Sequence, residues 1–424
     1  MTTSSTHSET ESLPDKQSET EYLLLTDYFY PESVSTGRLM TELAVGLRER
    51  GLNLTVYTSQ PSNQGDTSEK RPRRETHEGV PIKRVRSPQI QRTSKIRHLA
   101  EWILFPVVVF CTLVTDRPDR NREIIVVSNP PLLPLFIWTL CRLRGWKMTY
   151  IIHDLWPDIG ANFGYYSEDG LINRSWSRIH RAVVRDAENI IVLGPAMEEY
   201  VRENVSPAIT EEQLTVVHNW EDEESIRPIP KHNNWFSTKH NLEDMFTVVY
   251  SGNINDSHDL ETVIRAAKHV DDIHFLIIGE GLGKRDLVSL AERLDVTDDT
   301  VTFLPYQQVD TLPYSLTCGD VTLVTKKENV GLAVSCKVYT SLATGQPVLC
   351  LAEDHSDEAR IVQQANAGIQ VSPGDVDGVI DALKRWKRNP RLVEEQGRNA
   401  RREFESRYTK SQAIDQYYEV IASG

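Results

Sequence analysis

Short apolar runs and helical stripes alternate along this chain, and that alternation restricts its fold more than any other feature. A compact run from Tyr22 to Thr26 is followed, after a loop, by Leu39, Met40, Leu43, Ala44 and Leu47 at helical spacing. Ser35 or Thr36 is placed to cap the start of that helix, and Gly51 supplies its stop. A second strand, "LTVYT", comes next. Parallel neighbours need a crossover helix, so this order predicts a parallel, doubly wound sheet. The rhythm returns in "EIIVVSNPPLLPLFIWTLCRLRGWKMTYIIHDLWPD", with strands ending at Ser128 and near His153, and "NIIVLG" and "LTVVHN" add two more.

From about Glu221 to Asp244 the pattern breaks into charged, proline-bearing chain without periodicity. The second half then repeats the first: "FTVVYSGNI", a helical stripe through Leu260, Val263, Ile264, Ala267 and Val270, "IHFLIIGEG", and strands at "TVTFLP", "DVTLVT" and "QPVLCL". The predicted fold class is therefore α/β: two Rossmann-like, doubly wound parallel-sheet domains facing across a cleft. The expected boundaries are a disordered polar tail over 1–20, an N-terminal domain over 21–225, a linker over 226–245, a C-terminal domain over 246–405 and a closing helix over 406–424.

At 424 residues with 39% hydrophobic content, the chain is long enough for two cores. Its net charge of −14 argues against nucleic acid as the main partner. The five cysteines show no paired metal spacing and read as free thiols in a reducing compartment. The first twenty residues have no basic start and no apolar run, so the expected location is the cytoplasm. One segment departs from the average. Between Lys70 and Arg97, ten basic residues face only Glu75 and Glu78, and "WILFPVVVFCTLVT", Trp102 to Thr115, follows without a charge. That run is shorter than the ~20 residues a membrane-spanning helix needs. Two readings stay open: a surface over Lys70 to Thr115 resting on anionic lipid at the inner face of the cell membrane, or a solvated loop followed by a core helix.

Ligands of such sheets bind beyond the carboxyl ends of the strands. The residues there are "TDYFYPESVSTGR", "SNPP", "HDLWPD" and "NWED" in the first half, and "SGNINDSHD", "GEGLGK", "PYQQ" and "TKKENVGLAVS" in the second. "GEGLGK" lacks the spacing of a dinucleotide loop and reads as a turn. "DVD" at Asp375 to Asp377 reads as a solvated turn, and no metal is expected.

Taken in order, "DYFYPESVSTGRLMTELAVGLRERGLNLTVYT", "SNPPLL", "HDLWPD", "VVHNWED", "VVYSGNINDSHDLETVIRAA", "GLAVSCKVYTSLATGQPVL" and "AGIQVSPGD" resemble the retaining glycosyltransferases of family 4, which have the GT-B architecture. The likeness runs from about Tyr22 to Ile421, closest to the branch that builds surface polysaccharides and lipid-linked glycans. It implies an acceptor-side first domain, a nucleotide-sugar-binding second domain, a closing helix over 406–424 that packs back on the first domain, and transfer with retention to a glycan or polyprenyl-linked acceptor, in surface polysaccharide or glycoconjugate assembly, N-glycans included. It implies no protein nucleophile and no cofactor, the nucleotide-diphosphate sugar being the substrate.

In the family pattern, near E-G-F-G-x-x-x-x-E-A, the first acid bonds sugar hydroxyls and the second the nucleotide ribose, with backbone N–H groups cradling the diphosphate. Here Glu328 and Gly331 match the first part. The second acid is absent by either count: eight residues on stands Cys336, and counting back from "GQPV" gives Thr340. Two cations usual in the loop after the first strand of the second domain are also missing, Asn253 and His258 lying near their places. Lys326, Lys327 and Lys337 are the nearest supply of positive charge, with the helix start near Ser335 adding its dipole; exposed lysines serving solubility are the alternative.

The candidate site is therefore Glu328, His153 and Asp154 for catalysis, with Gly252, Asn253, Lys326, Gly331, Leu332 and Lys337 for the donor. Ser35, Thr36, Gly37 and Arg38 form an acceptor-side loop, unless Arg38 pairs with an acid on its own helix. His153 is equally readable as a core or capping histidine. Two other classes are weighed: a non-catalytic partner of this fold in a glycan-assembly complex, which the missing ribose acid and cations would suit, and a sugar-nucleotide epimerase, which would need more acids and histidines in the cleft.

Overall fold

The computed structural model describes residues 20–423 except 33, 62–70, 86–94, 117–120, 163, 298–299 and 329–331, with backbone alone for 95–101 and 162. The expected polar tail and Gly331 lie outside the described residues, as do Lys70, Arg86 and Arg92 of the basic segment.

The first half runs β1 (Glu21–Leu25), α1 (Ser35–Glu49), β2 (Leu54–Thr58), β3 (Arg74–His77), β4 (Val80–Arg84), α2 (Lys95–Thr115), β5 (Arg122–Val127), α3 (Leu133–Arg144) and β6 (Lys147–Ile152). Next come α4 (Asp158–Asn162), α5 (Leu171–Asp186), β7 (Asn189–Val192), α6 (Pro195–Tyr200), β8 (Leu214–Val216) and α7 (Trp235–Lys239). From there strand and helix alternate: β9 (Phe246–Ser251), α8 (Leu260–Ala267), β10 (Ile273–Ile278), α9 (Lys284–Leu294), β11 (Val301–Leu304), α10 (Leu312–Leu316) and β12 (Val321–Thr325). The chain continues through α11 (Lys337–Ala343), β13 (Val348–Leu351), α12 (Asp357–Gln364) and β14 (Gly368–Val371), and closes with α13 (Val376–Arg388), α14 (Pro390–Arg407) and α15 (Lys410–Ala422).

Two sheets result, ordered β3-β4-β2-β1-β5-β6-β7-β8 and β11-β10-β9-β12-β13-β14. Their central strands are parallel, and Leu23, Leu24 and Leu25 of β1 and Phe275, Leu276 and Ile278 of β10 are fully buried, as strands covered on both faces require. The antiparallel hairpin β3–β4 lies inside the basic segment and has no counterpart in the sequence reading. It redistributes that charge: Arg84 is buried and donates from Nε to Glu75 at 2.7 Å, and Lys83 donates to the Tyr57 hydroxyl. In α2, Phe105, Val109 and Leu113 are buried, so the uncharged run gives a core-facing helix, while Ile103 and Val114 remain exposed. No helix among the described residues is long and apolar enough to cross a membrane.

Contacts divide the chain into two compact units, residues 1–126 with 136–149 and residues 127–135 with 150–424, so β5 and β6 supply residues to both. That division differs from the boundary expected near residue 225. Its reason is visible in the second unit, where Ala196 N–H donates to Asp357, Arg360 pairs with Glu199 and Asn189 donates to the Val420 carbonyl. The rings of Trp220 and Tyr417 also meet there, 6.0 Å apart. Residues 226–245, expected as a linker, carry α7, whose Phe236 is buried with Leu242 against Val249, Leu276 and Cys318. Asn234 caps that short helix through the Phe236 amide.

Candidate active site

The second sheet reverses its winding between β9 and β12, and the crevice outside such a switch point is where open α/β sheets bind ligands. The segments that flank it are Gly252 to Asp259, Lys326 to Glu328 and Leu332 to Cys336. Gly252 has φ +151, and a Cβ there would stand 2.3 Å from Lys337 Cε. Gly279 has φ +150 and a Cβ would fall 1.9 Å from the Gly252 carbonyl oxygen, so both positions exclude any side chain. The "GEGLGK" turn closes on itself, with Lys284 donating to the Gly279 carbonyl at 2.9 Å.

Lys337 opens α11 and lies partly buried over the Tyr250 ring. His258 Nδ1 is 2.8 Å from the Thr325 carbonyl, which can only accept, so Nδ1 carries the proton and Nε2 is an acceptor. Lys337 Nζ donates to that Nε2 at 3.2 Å. Burial and the neighbouring ammonium push His258 down to about 4, and burial lowers Lys337 to about 8. A neutral imidazole thus holds a lysine that remains mostly charged at pH 7, and among the described residues no carboxylate pairs with it.

Ahead of α11 the loop is anchored from behind. Glu358, fully buried in the first turn of α12, accepts from the Ser335 amide at 2.8 Å and from Lys326 Nζ at 3.4 Å. Lys326 also donates to the Ala333 carbonyl at 2.8 Å. Its ammonium therefore shapes the loop. Lys327 and Glu328 are exposed, and Leu332 is half-buried. Asn253 is exposed with its carbonyl accepting from the Tyr250 hydroxyl at 2.6 Å.

Thr340, one turn along α11, donates from Oγ1 to Glu221 Oε2 at 2.6 Å. Glu221 is buried and comes from the chain that follows β8. Asn219, two residues earlier, donates to Cys336 Sγ. A carboxylate thus stands beside the position where the family pattern has its second glutamate. Its sequence signal is "NWED" after a strand, and nothing local ties that signal to Thr340. Glu358, which is not among the sequence candidates, lies on the chain that follows β13 and so also belongs to a strand-end segment. A cavity of about 60 Å³ under α11, lined by Val249, Ser251, Lys337 and Thr340 among others, has room for water but is far below the ~300–1,000 Å³ of ligand pockets.

Beyond β5 and β6, Ser128 Oγ accepts from the amides of His153 and Asp154, both at 3.0 Å. His153 is buried, its Nε2 has no hydrogen-bond partner among the described residues, and burial holds it neutral with a pKa of about 4. Burial also raises Asp154. In the first unit, Ser35 and Thr36 are the first helical residues of α1, the cap position being Val34 without a side-chain bond. Gly37 is packed against Glu32, where a Cβ would be 2.9 Å from Glu32 Cβ, and Arg38 pairs with Glu42 at 3.3 Å on its own helix.

The chain is thus a two-sheet α/β protein with a cationic, glycine-lined crevice at the switch point of its second sheet. The family description "Glycosyl transferase 4-like domain" matches residues 36–220, and "Glycosyl transferases group 1" matches residues 233–403. Probable glycosyltransferase WbjE of Pseudomonas aeruginosa is 25% identical over 294 residues, 67% of this chain and 71% of that protein. Putative colanic acid biosynthesis glycosyl transferase WcaI of Escherichia coli K12 is 23% identical over 302 residues, 69% and 73% of the two chains. The crystal structure of Anabaena Alr3699/HepE in complex with UDP and glucose superposes with a TM-score of 0.70 at 15% identity, covering 95% of this chain and 100% of that one. This chain belongs to the family 4 glycosyltransferases of the GT-B fold.

Proposed function

We propose that the protein transfers a sugar, with retention, from a nucleotide-diphosphate sugar to a glycan or polyprenyl-linked acceptor in surface polysaccharide or glycoconjugate assembly. Lys337 carries the reading. A partly buried ammonium with no carboxylate partner among the described residues, set against a glycine that permits close approach, is an arrangement for an anion such as a diphosphate. The bound UDP and glucose of the Anabaena structure support the donor class, and the colanic acid name of the Escherichia relative supports the pathway class.

In this reading the acceptor hydroxyl attacks the anomeric carbon on the face that the diphosphate leaves, and its proton passes to the departing diphosphate oxygen. The protein's part is positioning and charge stabilisation. Lys337 and the start of α11 hold the diphosphate, so no metal is invoked. His153, whose Nε2 has no partner among the described residues and whose pKa is too low for an effective base at pH 7, hydrogen-bonds a sugar hydroxyl. Glu328 takes the remaining sugar hydroxyls. Glu221, delivered to Thr340, serves the ribose in place of the absent helix acid.

Calorimetric titration with uridine, guanosine and thymidine diphosphate sugars tests this. One donor should bind saturably, with affinity lost in Lys337→Met, and transfer should be abolished in folded Glu328→Gln. A folded protein that binds none of the panel overturns the reading, and normal turnover in Glu328→Gln removes that residue from the site.

A further inference from the structure

Lys337 is a partly buried ammonium with no carboxylate directly beside it among the described residues. The titratable groups that face it are the neutral His258 imidazole from the loop ahead of α8, the Tyr250 ring of β9 and the Cys336 thiol one residue back on its own helix. A charge taken out of water without compensation is costly, so such an ammonium needs either hydration or a counter-charge.

Thr340 stands three residues on, and on a helix that spacing makes the two side chains neighbours. Both line the cavity of about 60 Å³ under α11. Ser251 of β9 and Thr322 of β12 add hydroxyl-bearing side chains to its wall, and Val249 and Leu323 add apolar ones. One water needs ~10–15 Å³ and roughly two to four polar partners, so the cavity has both the room and the chemistry for water.

Hydrogen-bond directions around Thr340 give such a water a role. The Thr340 hydroxyl has a single hydrogen, and its oxygen is 2.6 Å from Glu221 Oε2 but 3.4 Å from the Cys336 carbonyl. The short, charge-assisted bond to the carboxylate takes that hydrogen, which leaves the lone pairs of Oγ1 to accept. Lys337 can only donate. A water between them accepts from Lys337 and donates to Thr340, so every bond in the series from ammonium to carboxylate runs in the same direction, and each polarises the next. Glu221 is fixed at the far end: it is buried, and its Oε1 accepts from the Asp222 amide at 3.1 Å.

We propose that Thr340 and Glu221 are positioning residues for Lys337, the cavity water and the Thr340 hydroxyl relaying the Glu221 carboxylate to the ammonium as its counter-charge. The relay occupies one N–H of Lys337 and His258 a second, so the third is left for an anion in the crevice. Only the effect on donor affinity rests on the proposed function, because the charge of Lys337 is measured without any donor.

The test is an NMR titration of the Lys337 side chain in the lysine-labelled full chain, its signal assigned by its loss in Lys337→Met. The wild type should titrate near the value of about 8. Thr340→Val and Glu221→Gln should each lower the midpoint by about one pH unit, a tenfold change in the ionisation constant, since removing an opposite charge disfavours the ammonium. The double variant should go no lower than either single one, and Thr340→Ser, which keeps the hydroxyl, should titrate as the wild type does. Melting temperatures show that the variants are folded, and Glu221→Gln keeps the shape of the side chain. A midpoint that neither change moves overturns the proposal. So does a shift in Glu221→Gln that Thr340→Val does not share, because the carboxylate would then act without the hydroxyl. If the midpoints move as expected while nucleotide-sugar affinity at pH 8 stays constant, the relay stands and the donor role of Lys337 falls.

Discussion

Thr340 Oγ1 donates to Glu221 Oε2 at 2.6 Å across 119 positions of sequence. The helix that lacks its expected glutamate thus has a carboxylate beside the vacant position, supplied from the chain after β8. If that carboxylate serves the nucleotide, Glu221→Gln should weaken donor binding with little change in turnover at saturation. The swap Thr340→Glu, Glu221→Thr should restore affinity. Isothermal titration of the three variants decides; unchanged affinity in Glu221→Gln makes the bond structural only.

Lys337→Met should weaken donor binding by about one to two powers of ten, the loss of a charge-assisted contact of roughly 1.5–3 kcal/mol. In the wild type the free-protein affinity should fall as pH rises through about 8, where the ammonium deprotonates. His258 stays neutral across that range. Titrating affinity from pH 6 to 10 should therefore give a curve that Lys337→Met flattens.

Glu358→Ala should leave the Ser335 amide and the Lys326 ammonium without their acceptor. Removing one member of a buried ion pair costs about 3–5 kcal/mol, discounted here because Lys326 is 13% exposed and the pair is 3.4 Å apart. Lower denaturation midpoints are expected, with donor affinity reduced because the loop before α11 loses its anchor. Lys326→Met with Glu358→Leu should recover much of the stability, and a double-mutant cycle measures the coupling.

Acid should destabilise the protein before its carboxylates are protonated. Burial holds His153, His180 and His218 at about 4, below the ~6.5 of an unfolded histidine. The unfolded chain therefore binds more protons between those values, and stability falls as pH drops through that window. The slope is about 1.4 kcal/mol per pH unit for each such histidine. Melting curves at pH 7, 6 and 5 should show the decline, and His180→Phe should reduce it, since that ring packs edge-on against Tyr150 rather than forming an ion pair.

Much of this molecule is written locally. The stripe Leu39, Met40, Leu43, Ala44 and Leu47 is the buried face of α1, and "FTVVYS" and "IHFLII" are β9 and β10, because a strand or helix buried on a known face must carry its apolar residues at that period. The hairpin β3–β4 was hidden by its basic residues, since Arg84 becomes a buried strand residue only once Glu75 stands opposite its chain. Segment 226–245 reads as a linker because its buried residues, Ile226, Asn234, Phe236, Ser237 and Leu242, are too few and too irregularly spaced to show a period.

By itself, then, the sequence determined two parallel α/β sheets, the loops beyond their strands, the lysine at the head of α11 and the absence of a second glutamate on that helix. Only the tertiary structure decided which partners meet there: His258 for Lys337, Glu358 for Lys326, Glu221 for Thr340, separated by 79, 32 and 119 positions. Periodicity records which face of an element is buried, a property of neighbouring residues. The meeting of distant loops depends on strand order and crossover, which bring chain ends together at a switch point that no single stretch of residues encodes.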